Sequence, residues 1–211
     1  AYTRDFEREA DRMGYQTLEK SGFDVRGMGD FFERLQKSGR LYEHNAPVYL
    51  RSHPLTVERI SDMQNRAQGA PYRQVVSSLD FHLVRAKLRA QMGTPAEALK
   101  DFSSQLQEKK YSSLAAAHYG LAVAQMRAKD APAAQREIDA IKALKVTSPI
   151  ISGLSAEIRA TVGDLPGAQA IYREALQRYP QAKSLIYGYA ESLYSGRQYD
   201  QVMLFLDAQL Q

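Results

Sequence analysis

The chain has 211 residues, of which 44% are apolar and 25% are charged, a composition typical of a folded globular protein and not of a disordered one. Its 28 basic and 24 acidic residues leave a formal charge of +4 that is spread along the chain, which argues against a nucleic-acid-binding surface. The absence of cysteine excludes disulfides and cysteine catalysis, and no apolar run is long enough for a membrane span.

The first predicted helix, residues 3–20, carries two carboxylates on one face. Glu7 and Asp11 are four residues apart and therefore lie one helical turn from each other. A cation is needed beside them, and two kinds can serve. One alternative is a solvated ladder of ion pairs with nearby arginines, which is usual on charged surface helices. The other is zinc, with Glu7 as a ligand and Asp11 orienting a second ligand. The arginines within one turn are Arg4, Arg8 and Arg12.

Two more helices and a loop are predicted before the middle of the chain. Residues 26–37 have a helical apolar stripe, so this helix and the first are expected to form a hairpin. Residues 40–53 lack periodicity and are predicted to be a loop, whereas residues 56–66 are predicted to be helical. A domain boundary is expected between residues 71 and 77. The stripe of the second helix consists of Met28, Phe31, Phe32 and Leu35.

Three runs in this region resemble a known group of peptidases. They are Phe6-Glu7-x-x-Ala10-Asp11, Phe31-Phe32-x-x-Leu35 and Tyr49-Leu50-Arg51-Ser52-His53-Pro54-Leu55-Thr56-x-x-Arg59-Ile60. In these runs the chain is similar to zinc metallopeptidases of the HtpX and CAAX-prenyl-protease type, and within them to bacterial periplasmic members that carry helical repeats. The resemblance implies that Glu7 is the third zinc ligand and that Asp11 orients a zinc-ligating histidine.

Beyond residue 77 the sequence repeats with a period of about 34 residues. Two series of small residues, twelve apart, share steps of 36, 34 and 34, and a larger apolar residue follows four residues after each member of the second series. This spacing resembles the tetratricopeptide repeat, in which small residues let paired helices cross closely. The first series is Ala86, Ala122, Ala156 and Ala190; the second is Ala98, Ala134, Ala168 and Val202; the larger residues are Phe102, Ile138, Tyr172 and Leu206.

The predicted fold is therefore all-α. A short helical remnant of a metallopeptidase domain, residues 1–70, precedes a tetratricopeptide-repeat superhelix of four repeats, residues 71–211. A chain that begins at an active-site helix is interpreted as the C-terminal portion of a larger protein.

The histidines do not supply the catalytic motif of a zincin. That motif, H-E-x-x-H, needs two histidines four apart on a helix, and no pair among His44, His53, His82 and His118 has this spacing. His53, before a proline, is interpreted either as a turn or capping residue or as a regulatory fourth zinc ligand in the full-length protein. His82 and His118 occupy equivalent repeat positions and are predicted to be packing residues. We expect no peptidase activity and no tightly held zinc in this chain alone.

A polar and aromatic groove is predicted along the first helices of the repeats. Such a lining is typical of a surface that binds polypeptide segments of mixed charge, and the alternative is that its tyrosines pack repeat against repeat. The residues predicted to face the groove are Lys87, Tyr119, Arg127, Glu157, Tyr187, Glu191 and Tyr194.

The resemblance implies a periplasmic zinc-dependent endopeptidase with a chaperone-like role in outer-membrane protein assembly and quality control. Its repeats would bind substrate polypeptides or the assembly machinery. Nucleic acid and a membrane span are not expected, and peripheral membrane association stays open. The alternative is a non-enzymatic repeat scaffold for protein–protein interaction. An H-E-x-x-H motif encoded upstream of Ala1 would favour the first function, and a start codon or signal peptide directly before Ala1 the second.

Overall fold

The computed structural model describes residues 4–40 and 56–209, except for the side chains of residues 38–40. The described residues form eleven α-helices and no strand, which confirms the all-α prediction. Two compact units can be separated, Ala1–Val76 and Ser77–Gln211. No helix in the described ranges combines the length and apolar character that crossing a membrane requires.

The first unit contains three helices, α1 (Arg4–Lys20), α2 (Arg26–Arg40) and α3 (Val57–Ala67). Both α1 and α2 pack against α3. The core consists of Phe32 with Ile60 and Met63, all buried. Phe31, predicted on the same stripe as Phe32, is 57% exposed. Adjacent residues of a helix point about 100° apart, so the turn that buries Phe32 directs Phe31 away from the core.

The second unit consists of four consecutive helix pairs. Within it, each first helix packs against its own partner and against the first helix of the next pair. Each second helix of the first three pairs also packs against the first helix that follows it. The pairs are α4 (Leu79–Gln91) with α5 (Pro95–Gln107), α6 (Leu114–Arg127) with α7 (Ala131–Ala143), α8 (Pro149–Thr161) with α9 (Leu165–Arg178), and α10 (Lys183–Ser195) with α11 (Tyr199–Gln209).

The turns inside the pairs repeat with the same spacing as the small residues. Each contains one residue with positive φ, between +56° and +85°, and successive members are separated by 36, 34 and 34 residues. In the first three pairs the next residue caps the following helix, its side-chain oxygen accepting a hydrogen bond from a backbone N–H. The positive-φ residues are Gly93, Lys129, Gly163 and Arg197, and the caps are Thr94, Asp130 and Asp164.

Aromatic side chains from the second helices pack against glycines in the next first helices. A Cβ at Gly120 would overlap the ring of Phe102, and a Cβ at Gly188 would lie 2.6 Å from the hydroxyl of Tyr172. The corresponding residue of the third pair is Leu154, and the side chain from the preceding helix is the smaller Ile138; both belong to one buried cluster. A large residue on one helix therefore faces a glycine on the next, whereas two residues of intermediate size face each other in the remaining case. In each case the space between the helices is filled.

Candidate functional site

A charged cluster joins α1 to α3 in the first unit. Nη1 of Arg59 lies 2.9 Å from Oε2 of Glu7. The same guanidinium donates from Nε to Oδ2 of Asp11 and from Nη2 to Oδ1, both at 2.7 Å. The three side chains are only 11%, 13% and 6% exposed, for Arg59, Glu7 and Asp11 respectively. One arginine thus holds both carboxylates that the sequence placed on a single helical face.

Local structure fixes the position of Arg59. The side-chain oxygen of Thr56 caps α3 by accepting a hydrogen bond from the backbone N–H of Arg59 at 3.3 Å. Arg59 therefore lies in the first turn of the helix. Its guanidinium carbon also lies 5.4 Å from the centre of the Phe32 ring, within the range of a cation–π contact. The planar guanidinium suits this position because it pairs with a carboxylate through two parallel bonds while facing a ring.

Two of the three predicted local arginines have other contacts. Arg12 pairs with Glu9 through hydrogen bonds of 2.5 and 2.8 Å. This side-chain hydrogen bond, with the charge of Arg12, holds the pKa of the Glu9 carboxyl below its usual value. Arg8 lies 3.8 Å from Asp5 and 3.7 Å from Glu58. The ion-pair interpretation named arginines on the helix itself, whereas the structure supplies the cation from α3.

Arg59 lies in one of the motifs given above, but no role was predicted for it. A signal was available, because Thr56 is a typical helix cap and Arg59 is the third residue of the helix that follows it. The sequence did not show that this turn packs against α1. Arg59 and Asp11 are 48 residues apart in the chain.

The described residues do not by themselves form a zinc site. In residues 4–40 and 56–209 no group of three or more His, Cys, Asp or Glu side chains is placed to hold a metal ion. Glu7 supplies carboxylate chemistry that suits zinc, but four-coordinate zinc requires three or four protein ligands. His53, the predicted regulatory ligand, lies outside the described residues, as does His44.

Five of the seven predicted groove residues are exposed. Tyr187 and Tyr194 are 69% and 63% exposed on α10. The other three are charged: Lys87, Glu157 and Glu191.

The remaining two predicted groove residues are corrected by the structure. Tyr119 is buried, with 2% of its surface exposed, and belongs to the large apolar cluster of the second unit. Burial, followed by the charge of Glu157, raises its pKa. Arg127 donates hydrogen bonds to the carbonyl oxygens of Ala90 and Gly93, at 2.5 and 2.9 Å, where α4 ends. These two residues contribute to packing and helix capping, so they are not available as partner contacts.

An apolar recess of about 880 Å³ in the first unit was not predicted. Phe23, Phe31 and Tyr72 line it and are each at least half exposed. Arg26 fixes one wall by donating to the carbonyl oxygen of Ala70 at 3.0 Å and lying 5.5 Å from the centre of the Tyr72 ring.

The first unit is similar to a known family of peptidases. Residues 1–67, which include all three members of the charged cluster, match peptidase family M48. The resemblance to a metallopeptidase that the sequence indicated is therefore confirmed.

More extensive similarity links the chain to particular bacterial proteins. It is 31% identical to the beta-barrel assembly-enhancing protease of Escherichia coli K12 over 186 residues. These residues are 88% of this chain and 37% of the relative. It is 33% identical over 130 residues to the protein of that name from Yersinia pestis, covering 61% of this chain and 26% of the relative. A Vibrio cholerae protein provisionally given the same name is 41% identical over 109 residues, or 51% of this chain and 22% of the relative. The chain thus spans well under half the length of these relatives.

Proposed function

We propose that this chain is part of a zinc-dependent endopeptidase that acts in outer-membrane protein assembly and quality control in the periplasm. The observation that carries the proposal is the Glu7–Asp11–Arg59 cluster, which lies within the segment that matches family M48. The names of the relatives support the assembly role.

In this proposal the cluster positions one side of a metal site. Zinc, when bound in the full-length protein, supplies a Lewis acid that polarises a peptide carbonyl and activates water. Glu7 contributes one ligand oxygen and Asp11 orients a histidine ligand, while the remaining ligands come from an H-E-x-x-H motif outside this chain. Arg59 binds Asp11 through both oxygens and holds α1 against α3, so the Glu7 side chain is oriented before metal binds.

Replacing Glu7 in the full-length protein tests this assignment. Glu7→Gln keeps the shape of the side chain but removes its charge, so zinc content and proteolysis of an unfolded outer-membrane protein should both fall to background. Glu9→Gln is the matched control, because Glu9 lies on the same helix and pairs with Arg12 at the surface. Full proteolysis and one retained zinc in the Glu7→Gln protein would remove Glu7 from the metal site.

Of the two alternatives for His53, we propose that it is a regulatory fourth zinc ligand and not a turn or capping residue. A histidine bound at the fourth zinc position would displace the reacting water, so His53→Ala should raise the proteolytic rate of the full-length protein. His82→Ala is a control in the repeats. A rate unchanged by His53→Ala would favour a turn or capping residue.

The second unit is proposed to bind substrate or partner polypeptides. Support comes from the exposed Tyr187 and Tyr194, since aromatic side chains with two rotatable bonds give large contact area at low entropic cost. The chain should capture an unfolded outer-membrane β-barrel protein in a pull-down, and the same protein once folded should compete poorly. Equal capture of both forms would contradict this role.

A further inference from the structure

Two neighbouring helices of the second unit present their side chains in matching register. On α8, Gly153, Glu157 and Ala160 are separated by four and three residues and so lie on one face. On α10, each has a counterpart 34 residues later. These counterparts are Tyr187, Glu191 and Tyr194. The two helices pack directly against each other, so the stripes lie side by side.

The residues of the two stripes differ in size, but each stripe carries one negative charge. Gly153 and Ala160 are small, whereas Tyr187 and Tyr194 are large and stand 69% and 63% exposed. Each stripe therefore carries one glutamate between two residues that are small on α8 and large on α10. We call this surface the α8–α10 face.

The charges of both carboxylates act on one buried hydroxyl group. Tyr172, from α9, extends between α8 and α10, where its hydroxyl would lie 2.6 Å from a Cβ on Gly188. Burial, followed by the charges of Glu157 and Glu191, raises the pKa of Tyr172 to about 12. Because α8 packs against α10 and the two glutamates occupy matching positions, their negative potentials add at the α8–α10 face.

Two arginines of the second unit have other partners. Arg159 on α8 pairs with Asp164 at 3.5 Å, and Arg127 binds carbonyl oxygens of the first pair. Within residues 56–209, Glu157 and Glu191 have no lysine or arginine within ion-pair distance. Glu157 and Glu191 are therefore exposed carboxylates without an ion pair among the described residues, at matching positions of neighbouring helices.

We propose that the α8–α10 face binds a basic polypeptide segment, with a lysine or arginine side chain between Glu157 and Glu191 and its aliphatic stem against Tyr187 or Tyr194. This rests on the proposed role of the second unit in polypeptide binding and narrows the mixed-charge partner expected from sequence. The carboxylates pair with the cation, and the tyrosine rings offer cation–π contact and apolar area. An acidic segment is repelled by the same two charges.

The test uses fluorescence anisotropy with the whole chain and two labelled synthetic peptides of equal length, one of alternating lysine and alanine and one of alternating glutamate and alanine. The basic peptide should bind, and its affinity should fall as salt is added because the contacts are solvent-exposed. The acidic peptide should not bind. Since the chain is positively charged overall, attraction of the basic peptide requires a local negative surface.

Substitutions that remove the negative charges test where the basic peptide binds. Glu157→Gln with Glu191→Gln should weaken binding of the basic peptide by about tenfold, the loss expected when two exposed carboxylates stop pairing with a cation. Glu174→Gln with Asp207→Asn makes the same change in net charge at other exposed positions and should alter affinity by less than about twofold. Tyr187→Ala should weaken binding by about threefold. Circular dichroism should show unchanged melting for all of these variants.

The outcomes separate this inference from the broader proposal. If the Glu157/Glu191 variant binds the basic peptide as the control does, while the chain still captures an unfolded β-barrel protein, the location is wrong and polypeptide binding stands. If the acidic peptide binds as well as the basic one, the charge selection is wrong. If neither peptide nor the unfolded protein binds, both proposals fail together.

Discussion

Arg59 replaces the mobile counterions that Glu7 and Asp11 would otherwise need, and it does so from a different helix. A buried carboxylate is costly unless it is paired and hydrogen-bonded. Asp11 satisfies this condition with two charge-assisted hydrogen bonds, and Glu7 shares the same guanidinium. Three charged groups therefore act as one structural unit at the start of α3.

Arg59→Ala should destabilise the first unit by about 3–5 kcal/mol, because it leaves two carboxylates buried without their cation. Hydrogen exchange at the amides of α1 and α3 is the appropriate measurement, since a protein with two units need not unfold in one step.

Arg66→Ala is the matched control for that experiment. Arg66 also lies on α3 and pairs with Asp62 at 2.9 Å, but both side chains are more than 40% exposed. The loss of an exposed pair should cost about 0.5 kcal/mol. Equal exchange rates in the two variants would mean that the buried cluster contributes no more than a surface pair.

Tyr172 should make the second unit sensitive to high pH. Its pKa is raised in the folded chain from an ordinary value of about 10 to about 12, so the folded state retains a proton that the unfolded state releases. This contribution to stability is fully present below pH ~10 and is lost as the pH rises towards ~12. Tyr172→Phe should lessen the alkaline loss of stability, as measured by urea unfolding across that range.

Tyrosinate absorbance gives an independent check of the same residue. The component that titrates at about pH 12 should disappear in Tyr172→Phe and persist in the exposed control Tyr187→Phe. A wild-type titration without that component would contradict the burial of the Tyr172 hydroxyl.

Helix packing in the second unit depends on pairs of one aromatic residue and one glycine. Phe102 from α5 packs against Gly120 of α6, and Tyr172 from α9 against Gly188 of α10. The intervening pair, Ile138 and Leu154, divides the volume more evenly. The summed volume of the two side chains therefore varies less from one pair to the next than the volume of either side chain alone. This is expected of a close-packed interior.

Gly120→Ala should destabilise the second unit by about 1–3 kcal/mol, because the new methyl group would occupy the position of the Phe102 ring. Gly153→Ala is the control, since its Cβ would meet only Leu185 at an ordinary 3.8 Å, and alanine favours helix by up to about 1 kcal/mol. The measurement is chemical denaturation followed by circular dichroism. Adding Phe102→Leu to Gly120→Ala should recover part of the loss; no recovery would show that the ring is not the obstacle.

The full chain brings together a unit that matches a peptidase family and a unit made of repeated helix pairs. Only one strong candidate for zinc ligation, Glu7, lies in the described part of the first unit, and it is bound to Arg59. The sequence contains no H-E-x-x-H motif, so the chemistry of the proposed endopeptidase requires residues beyond these 211.

This chain alone should not retain zinc. After incubation with zinc and dialysis, metal analysis should give well under one equivalent, and a chelator should leave thermal unfolding unchanged. Arg59→Ala tests whether the arginine prevents Glu7 from binding zinc. This variant should also retain no zinc, because a single carboxylate does not supply the ligands that zinc requires. One equivalent of zinc held by the wild-type chain would contradict this expectation.

Periodicity made most of the helices predictable. The 34-residue steps depend on residue size alone, and the structure places the turns inside the pairs at the same steps. Thr94, Asp130 and Asp164, which cap backbone N–H groups where α5, α7 and α9 begin, are residue types from which these helix starts could also have been predicted. The positions of Glu7 and Asp11 on one face likewise required only helical geometry.

Partners distant in the chain could not be derived in this way. Local spacing places Glu7 and Asp11 together, but only the packing of α1 on α3 selects Arg59 over the arginines nearby. Similarly, projection onto a repeat treats Tyr119 and Tyr187 as equivalent, yet one is 2% and the other 69% exposed. Burial depends on which side chains of neighbouring helices fill the adjacent space, a property of the packed structure that no single stretch of sequence contains.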